Sequence, residues 1–242
     1  MMHLIEALAA HTRPATLKQL AGDTHLHPST AHRVLAVLVD NRLVDRIEPG
    51  TYRLGIRFLE LGNLVLSRLN VRQEALPCMQ SLHDELNETI NLSVRQGDEI
   101  IYVERVSSRA PVMRVLQIVG TRAPLHLTAV GKIFLAEDGA EAAAAYAQRT
   151  GLARATEGTL ADAQALAAEL AKVRAQGFAI DREEAEKGVS CIGAGIRDHE
   201  GHLIAGLSVC APTDRLDLGW APRVHDTAER ISRALGYSRP RA

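Results

Sequence analysis

The sequence predicts an α+β chain: an N-terminal winged helix-turn-helix over 1–54, a linker helix over 55–70 and a mixed α/β domain over 71–242. Three observations predict it. Short helical patterns fill the first forty residues and run into a hairpin with a Pro-Gly turn. The segment 55–70 is apolar on more than one face. Beyond it, period-two apolar runs broken by Gly-containing turns alternate with helical stretches.

Leu4, Ile5, Leu8 and Ala9 stand at helical spacing, and that helix must end before Thr12-Arg13-Pro14. Thr16-Leu17-Lys18-Gln19 has the form of a capping box, opening a second short helix. After the turn Asp23-Thr24-His25-Leu26, Pro28 suits the first position of a third helix, where its missing N–H costs nothing. Ala31, Val34, Leu35 and Leu38 form the buried stripe of that helix. The stripe leaves Ser29, Thr30, His32, Arg33 and Val37 facing outward. Hydroxyls, an imidazole and a guanidinium are groups that reach phosphates and base edges, yet the same face suits plain solvation. Residues 43–47 and 51–54 flank Glu48-Pro49-Gly50 as the two strands of a wing, with Arg46 and Arg53 on it.

Ile56, Phe58, Leu59, Leu61, Leu64, Val65, Leu66 and Leu69 make the linker helix too apolar for a fifty-residue domain to cover. A second chain, the following domain, or both must cover it. Farther on, a helix is expected over 76–86, and a hairpin over 90–106 turns at Gly97-Asp98. Then come a strand over 112–119, a helix over 128–137 and an Ala/Leu-rich helix over 160–176 stopped by Gly177. Strands over 178–181, 191–198 and 203–210 precede a last helix over 221–235. The alanine run at 142–145 reads as strong helix former.

Composition narrows the class. Of 242 residues, 46% are apolar and 24% charged, with 28 Lys and Arg against 29 Asp and Glu, so net charge does not point to nucleic acid. Eight aromatic side chains are too few for a single-strand stacking platform. Residues 1–54 carry six basic against five acidic groups and five of the ten histidines, a slight bias only. No apolar run reaches the roughly 18–20 residues of a membrane helix, and no basic n-region opens the chain. Cys78, Cys191 and Cys210 form no C-x-x-C and suggest no disulfide framework, so a cytoplasmic location is expected. No nucleophile motif is present, and His25-x-His27 and the isolated His126 make poor zinc ligands. No catalytic residue, metal or cofactor is expected.

Five stretches carry a family resemblance. They are Leu26 to Leu35 (LHPSTAHRVL), Tyr52-Arg53-Leu54-Gly55, and Pro124 to Lys132 (PLHLTAVGK). The others are Asp181-Arg182-Glu183-Glu184 with Gly188 to Ile192, and Leu207 to Pro212 with Arg215. Together, in this order, they resemble the IclR family of bacterial transcriptional regulators across almost the whole chain. The resemblance implies an N-terminal winged helix-turn-helix and a linker helix; the face left by the buried stripe, Ser29, Thr30, His32 and Arg33, with Arg46 and Arg53 on the wing, is then the expected DNA contact. The resemblance also implies a GAF-like C-terminal effector domain with a mainly antiparallel sheet, and dimers that often pair into tetramers on an inverted-repeat operator. It places an effector pocket at Thr128, Ala129 and Val130, with Asp181, Val189, Cys191, Ser208 and Cys210 on the sheet side and Val112 and Val115 as an apolar lid. Two features depart from the family pattern: His25 stands where Gly is usual, and the chain begins within the first helix, so an N-terminal arm contact to DNA is not expected. In the pocket, Cys210 stands where Ser is usual, exchanging a hydroxyl for a softer, more apolar group.

Residues 128–130 open a helix, whose unpaired N–H groups and partial positive charge suit a carboxylate, with the Ser208 hydroxyl beside them. An ionised Asp181 only accepts hydrogen bonds, so it should face a hydroxyl or amine at the other end of the ligand. The expected effector is a small hydroxylated monocarboxylic acid of the kind met in catabolic pathways. The competing reading is a small-molecule-binding or catalytic α/β domain whose N-terminal module only dimerises. A third is a DNA-binding protein whose C-terminal domain serves assembly alone.

Overall fold

The computed structural model describes residues 1–47, 50–66, 70–107 and 118–238. The chain divides into two compact units, Met1–Arg68 and Leu69–Ala242.

The first unit holds α1 (Met2–Ala10), α2 (Leu17–Asp23), α3 (Pro28–Asp40) and α4 (Arg57–Leu66). Its three strands are β1 (Ala15–Thr16), β2 (Val44–Arg46) and β3 (Thr51–Leu54), in the order β1-β3-β2. The Thr16–Gln19 capping box forms as the sequence predicts. Leu4, Leu8, Leu20, Ala31, Leu35, Leu38, Val44 and Tyr52 close the core. The two-residue β1, antiparallel to β3, is too short for periodicity to reveal. On α4 and just before it, Ile56, Leu59, Leu61 and Leu64 are exposed, as the apolar count of this segment requires.

Between α2 and α3 the chain turns through a Schellman motif. The His25 N–H donates to the Gly22 carbonyl at 3.2 Å and the Leu26 N–H to the Ala21 carbonyl at 3.0 Å. That closure puts His25 at φ +54°, the left-handed region that glycine enters at least steric cost.

The second unit is a six-stranded sheet in the order β6-β5-β4-β9-β8-β7, every neighbouring pair antiparallel. The strands are β4 (Thr89–Gln96), β5 (Glu99–Val106), β6 (Arg122–Pro124), β7 (Phe178–Arg182), β8 (Val189–Arg197) and β9 (Leu203–Pro212). One face packs against α5 (Asn70–Leu86) and α9 (Ala221–Ala234), and the other against α6 (Ala129–Asp138). Outside α6 lie α7 (Ala140–Thr150) and α8 (Ala163–Gln176). Glycines let α6 sit close to the sheet. A Cβ on Gly193 would lie 3.0 Å from the Ala129 Cβ, and one on Gly206 would overlap the Val130 side chain. A Cβ on Gly131 would strike the Leu125 backbone.

Several boundaries differ from the sequence expectation. The helix expected over 76–86 begins at Asn70 and carries Pro77 inside it. Val71, Ala75, Met79 and Leu82 form a buried stripe along its length, and that packing holds the helix through the proline. The helix expected from 160 starts at Ala163, where the Asp162 carboxylate caps the Ala165 N–H at 2.8 Å. Of the strand expected over 112–119, residues 112–117 lie outside the described residues, and Ile118 and Val119 are not strand. The edge strand β6, unforeseen, pairs with β5.

His25 stays in its left-handed conformation at a steric cost that glycine avoids. His25→Gly should therefore raise the stability of the N-terminal unit by up to about 1 kcal/mol. Urea unfolding read by exchange of the α3 amide hydrogens measures this, and a loss of protection would refute it.

Candidate DNA-binding face and effector cavity

In the first unit, α3 buries Ala31, Leu35 and Leu38 and exposes Ser29, His32, Arg33 and Val37, with Thr30 half-buried. The His27 ring begins this helix. Its Nδ1 lies 2.8 Å from the Ser29 Oγ and accepts the Ser29 N–H at 3.4 Å, which positions the serine at the N-terminal end of the exposed face. On the wing, Arg46 and Arg53 are both exposed. They differ in freedom, because Arg53 Nε donates to Asp45 at 3.2 Å while Arg46 has no ion-pair partner among the described residues.

In the second unit, a cavity of about 260 Å³ is lined by residues from both edge strands of the sheet, β6 and β7. Asp181, Val189 and Tyr102 line it from the sheet, Leu127 from the turn before α6, and Arg122 and Glu186 bring charge. Tyr102 is buried, and its backbone donates to the Thr121 carbonyl and accepts from the Gly120 N–H. Burial, together with the neighbouring Cys210, Cys191 and Asp181, pushes its phenol far above the usual range, so it is a neutral hydroxyl. Arg122 sits half-exposed with Nη1 3.2 Å from Glu99 and Nη2 on Gln96.

Asp181 is 3% exposed, and its Oδ1 accepts the Glu184 N–H at 2.7 Å. Burial first, then the nearby Glu184 carboxylate, pushes its pKa up to about 7, against the pull of two backbone N–H groups and Lys132. At neutral pH it can therefore accept a hydrogen bond as the carboxylate or donate one as the acid.

The residues expected at the effector site fall into three places. Asp181 and Val189 stand on the cavity wall. Cys191, Cys210 and Ser208 follow along the same face of β8 and β9, all buried: Cys191 pairs with Asp181 and with Cys210 across the strands. Thr128, Ala129 and Val130 are buried as well, but they are not among the described residues lining the cavity. Thr128 Oγ1 accepts the Gly131 N–H at 3.0 Å, and Ala129 and Val130 pack on Gly193 and Gly206. Val112 and Val115 lie outside the described residues. Tyr102 and Arg122 are cavity residues that sequence reasoning missed. Tyr102 reads as a strand aromatic, and Arg122 belongs to an edge strand too short to be seen. His126 is a packed histidine, with Nδ1 2.8 Å from the Tyr146 hydroxyl and Nε2 3.1 Å from the Ala153 carbonyl.

Comparison with known proteins gives this arrangement its context. The model of the bacterial transcriptional regulator IclR C-terminal domain matches residues 63–233, and that of the IclR helix-turn-helix domain matches residues 1–48. The chain belongs to the IclR family. This IclR-family chain is 31% identical over 242 residues to the HTH-type transcriptional regulator XynR of Escherichia coli, covering 98% of this chain and 94% of that one. It is 33% identical over 235 residues to KipR of Bacillus subtilis, covering 96% and 94%. Among solved structures, the Thermotoga maritima IclR superposes with a TM-score of 0.82 at 28% identity, covering 98% of this chain and 97% of that one. An IclR homolog from Microbacterium hydrocarbonoxydans, complexed with 4-hydroxybenzoate, superposes with a TM-score of 0.84 at 27% identity, covering 97% and 98%. The protein is a DNA-binding transcriptional regulator with a C-terminal effector-binding domain. Among the described residues, no helix is long and apolar enough to cross a membrane.

The raised Asp181 pKa makes a stability prediction. Between about pH 4, its ordinary range, and about 7, the folded chain holds a proton that the unfolded chain has lost. The folded state thus binds more protons, and stability falls as pH rises through that window, by at most about 1.4 kcal/mol per pH unit. Asp181→Asn should lack this component, so its stability relative to the parent should rise from the acid to the neutral end. Urea titrations across the window measure the difference, and parallel profiles would show that Asp181 ionises normally in the fold.

Proposed function

We propose that this regulator senses a small monocarboxylic acid bearing a hydroxyl group, and that as a dimer it binds an inverted-repeat operator of a catabolic operon. The observation that carries the effector class is the charge of the cavity wall. Among the described residues, two acidic side chains, Asp181 and Glu186, face one cation, Arg122. A single ligand carboxylate can pair with Arg122, whereas a second would meet Asp181 or Glu186 and be repelled. Asp181 suits a hydroxyl, and Val189, Leu127, Ala123 and Pro124 suit a short chain or a small ring between the two ends. The related Microbacterium protein is described in complex with 4-hydroxybenzoate, a monocarboxylate with one hydroxyl, which supports the same class here. Arg122 takes the carboxylate in this reading, in place of the N-terminus of α6.

A calorimetric screen tests the effector class. Hydroxybenzoates and short hydroxy or keto monocarboxylates should bind, while matched dicarboxylates and uncharged analogues should not. Asp181→Asn should reorder the affinities of the acids yet leave DNA affinity without ligand unchanged. Binding confined to uncharged apolar compounds would overturn the reading.

On the DNA side, the exposed α3 face with Arg33 at its centre supports base readout, and Arg46 and Arg53 support phosphate contact. The exposed apolar row of Ile56, Leu59, Leu61 and Leu64 supports a second copy as the partner that covers it. Arg33→Ala should weaken specific operator binding by roughly 10- to 100-fold without unfolding α3. Arg46→Ala should weaken all sequences alike and lower the salt slope by about one. Because Asp45 already engages Arg53, its loss should matter less. Gel-shift titrations coupled to sedimentation should show two chains per half-site pair, and unchanged specificity in Arg33→Ala would remove that residue from readout.

A further inference from the structure

Cys191 and Cys210 are reduced thiols directly opposite each other in the β8–β9 ladder, and both are buried. The hydrogen-bond phase of that ladder follows from its end. The Thr213 N–H donates to the Gly188 carbonyl at 3.0 Å, just beyond the Val189–Pro212 pair, whose proline has no N–H to give. Val189–Pro212 is therefore a non-hydrogen-bonded pair. The register runs unbroken from there to Ile196, so alternation makes Ser190–Ala211 hydrogen-bonded and Cys191–Cys210 non-hydrogen-bonded again. In such pairs the Cα atoms stand about 4.5 Å apart with side chains on one face, at the short edge of the span a disulfide bridges. A bond made there carries strain, and strained disulfides are the readily reduced ones.

The pair also adjoins the cavity. Asp181, the cross-strand neighbour of Cys191, and Val189, two residues before it on the same face, both line that cavity, and Cys191 beside them keeps 5% of its surface exposed. On the far side, Asn91 Nδ2 donates to Cys210 Sγ at 3.4 Å.

We propose that Cys191 and Cys210 are a covalent modification site, a reversible cross-strand disulfide formed when a hydroperoxide enters the adjoining cavity. The Cys191 sulfur, giving up its proton, attacks a peroxide oxygen and breaks the O–O bond. This gives a sulfenic acid and, with the displaced proton, water or an alcohol. Cys210 sulfur then attacks the sulfenic sulfur, forming S–S and breaking S–OH, and its proton leaves with the hydroxide as water. Two thiols lose two hydrogens and two electrons, and the peroxide takes them up. The disulfide holds the two sulfurs about 2.0 Å apart and stiffens the strands beside Asp181. A consequence for ligand affinity rests on the effector reading above, whereas formation of the bond does not.

The test uses the full chain carrying Cys78→Ser, which removes the remaining cysteine, on α5. Trypsin cuts after Lys187, Arg197 and Arg215, so the disulfide must join peptides 188–197 and 198–215. Hydrogen peroxide should abolish both titratable thiols and yield that linked pair of peptides within one chain. Dithiothreitol should restore both thiols. Cys191→Ser and Cys210→Ser should each prevent the link. Thiols that survive peroxide, oxidation that ends in sulfinic or sulfonic acid, or links between chains would overturn the proposal. Should a variant fold poorly, the peptide map of the unsubstituted protein reads the presence or absence of the same link.

Discussion

Lys132 on α6 is completely buried, and its ammonium lies 2.6 and 2.7 Å from the two oxygens of Glu184 and 2.5 Å from the Ile180 carbonyl. An ammonium without water needs all of its donors met, and these three acceptors meet them. The pair joins the helix above the sheet to the turn that follows β7. Removing either partner would strand a buried charge, at a cost of about 3–5 kcal/mol. The site inherits that rigidity directly. The backbone N–H of the same Glu184 holds Asp181 Oδ1, so the ion pair that fixes the turn also fixes the cavity carboxylate. From outside, the hydroxyls of Thr156 and Thr159 hold the Glu183 and Glu184 carbonyls, and Gly158 lies too close to the Arg182 carbonyl to carry a side chain. Glu183 takes φ +57° within that clamp.

A second constraint sets which polar groups share one face. Because α6 lies directly on Gly193 and Gly206, the middle of β8 and β9 is filled by helix backbone and small side chains. On the same face Asp181, Cys191 and Cys210 form one cross-strand row over β7, β8 and β9, with Tyr102 nearby and Ser208 and Asn91 in the neighbouring row with Gly193. The glycines thus separate two roles that the residue list alone would merge. The first turn of α6 is a packing element, and the row beyond it borders the cavity.

This separation marks what the sequence could and could not show. Local chemistry was legible: the Thr16 capping box, Pro28 opening α3, the Gly97 hairpin and Gly177 ending α8 each depend on neighbours in sequence. The α3 stripe was legible because burial on a helix follows a 3.6-residue period. Tyr102 and Arg122 were not, since their place at the cavity is set by strand order, which joins residues far apart in the chain. The start of α5 was hidden for a related reason. Tertiary packing along Val71, Ala75, Met79 and Leu82 overrides the proline that local rules treat as a boundary. The availability of a helix N-terminus is equally non-local, because only the two glycines across the sheet decide what covers it.

The proposed effector selectivity then follows from a competition at the cavity mouth. Arg122 is not an unengaged cation, since Glu99 and Gln96 already hold it. That pair is close to half-exposed on both sides and is worth at most about 1 kcal/mol. A ligand carboxylate can therefore displace Glu99 at little cost, provided that it brings a second interaction deeper in. The buried end supplies one, because Asp181 and the neutral Tyr102 hydroxyl have few alternative partners and no water-like dielectric to weaken them. An acid lacking a hydroxyl or keto oxygen gains only the weak exchange at the mouth, and a hydroxyl compound lacking the acid leaves Arg122 with Glu99. Neither half alone suffices, so discrimination arises from the distance between a cheap exposed exchange and a demanding buried one.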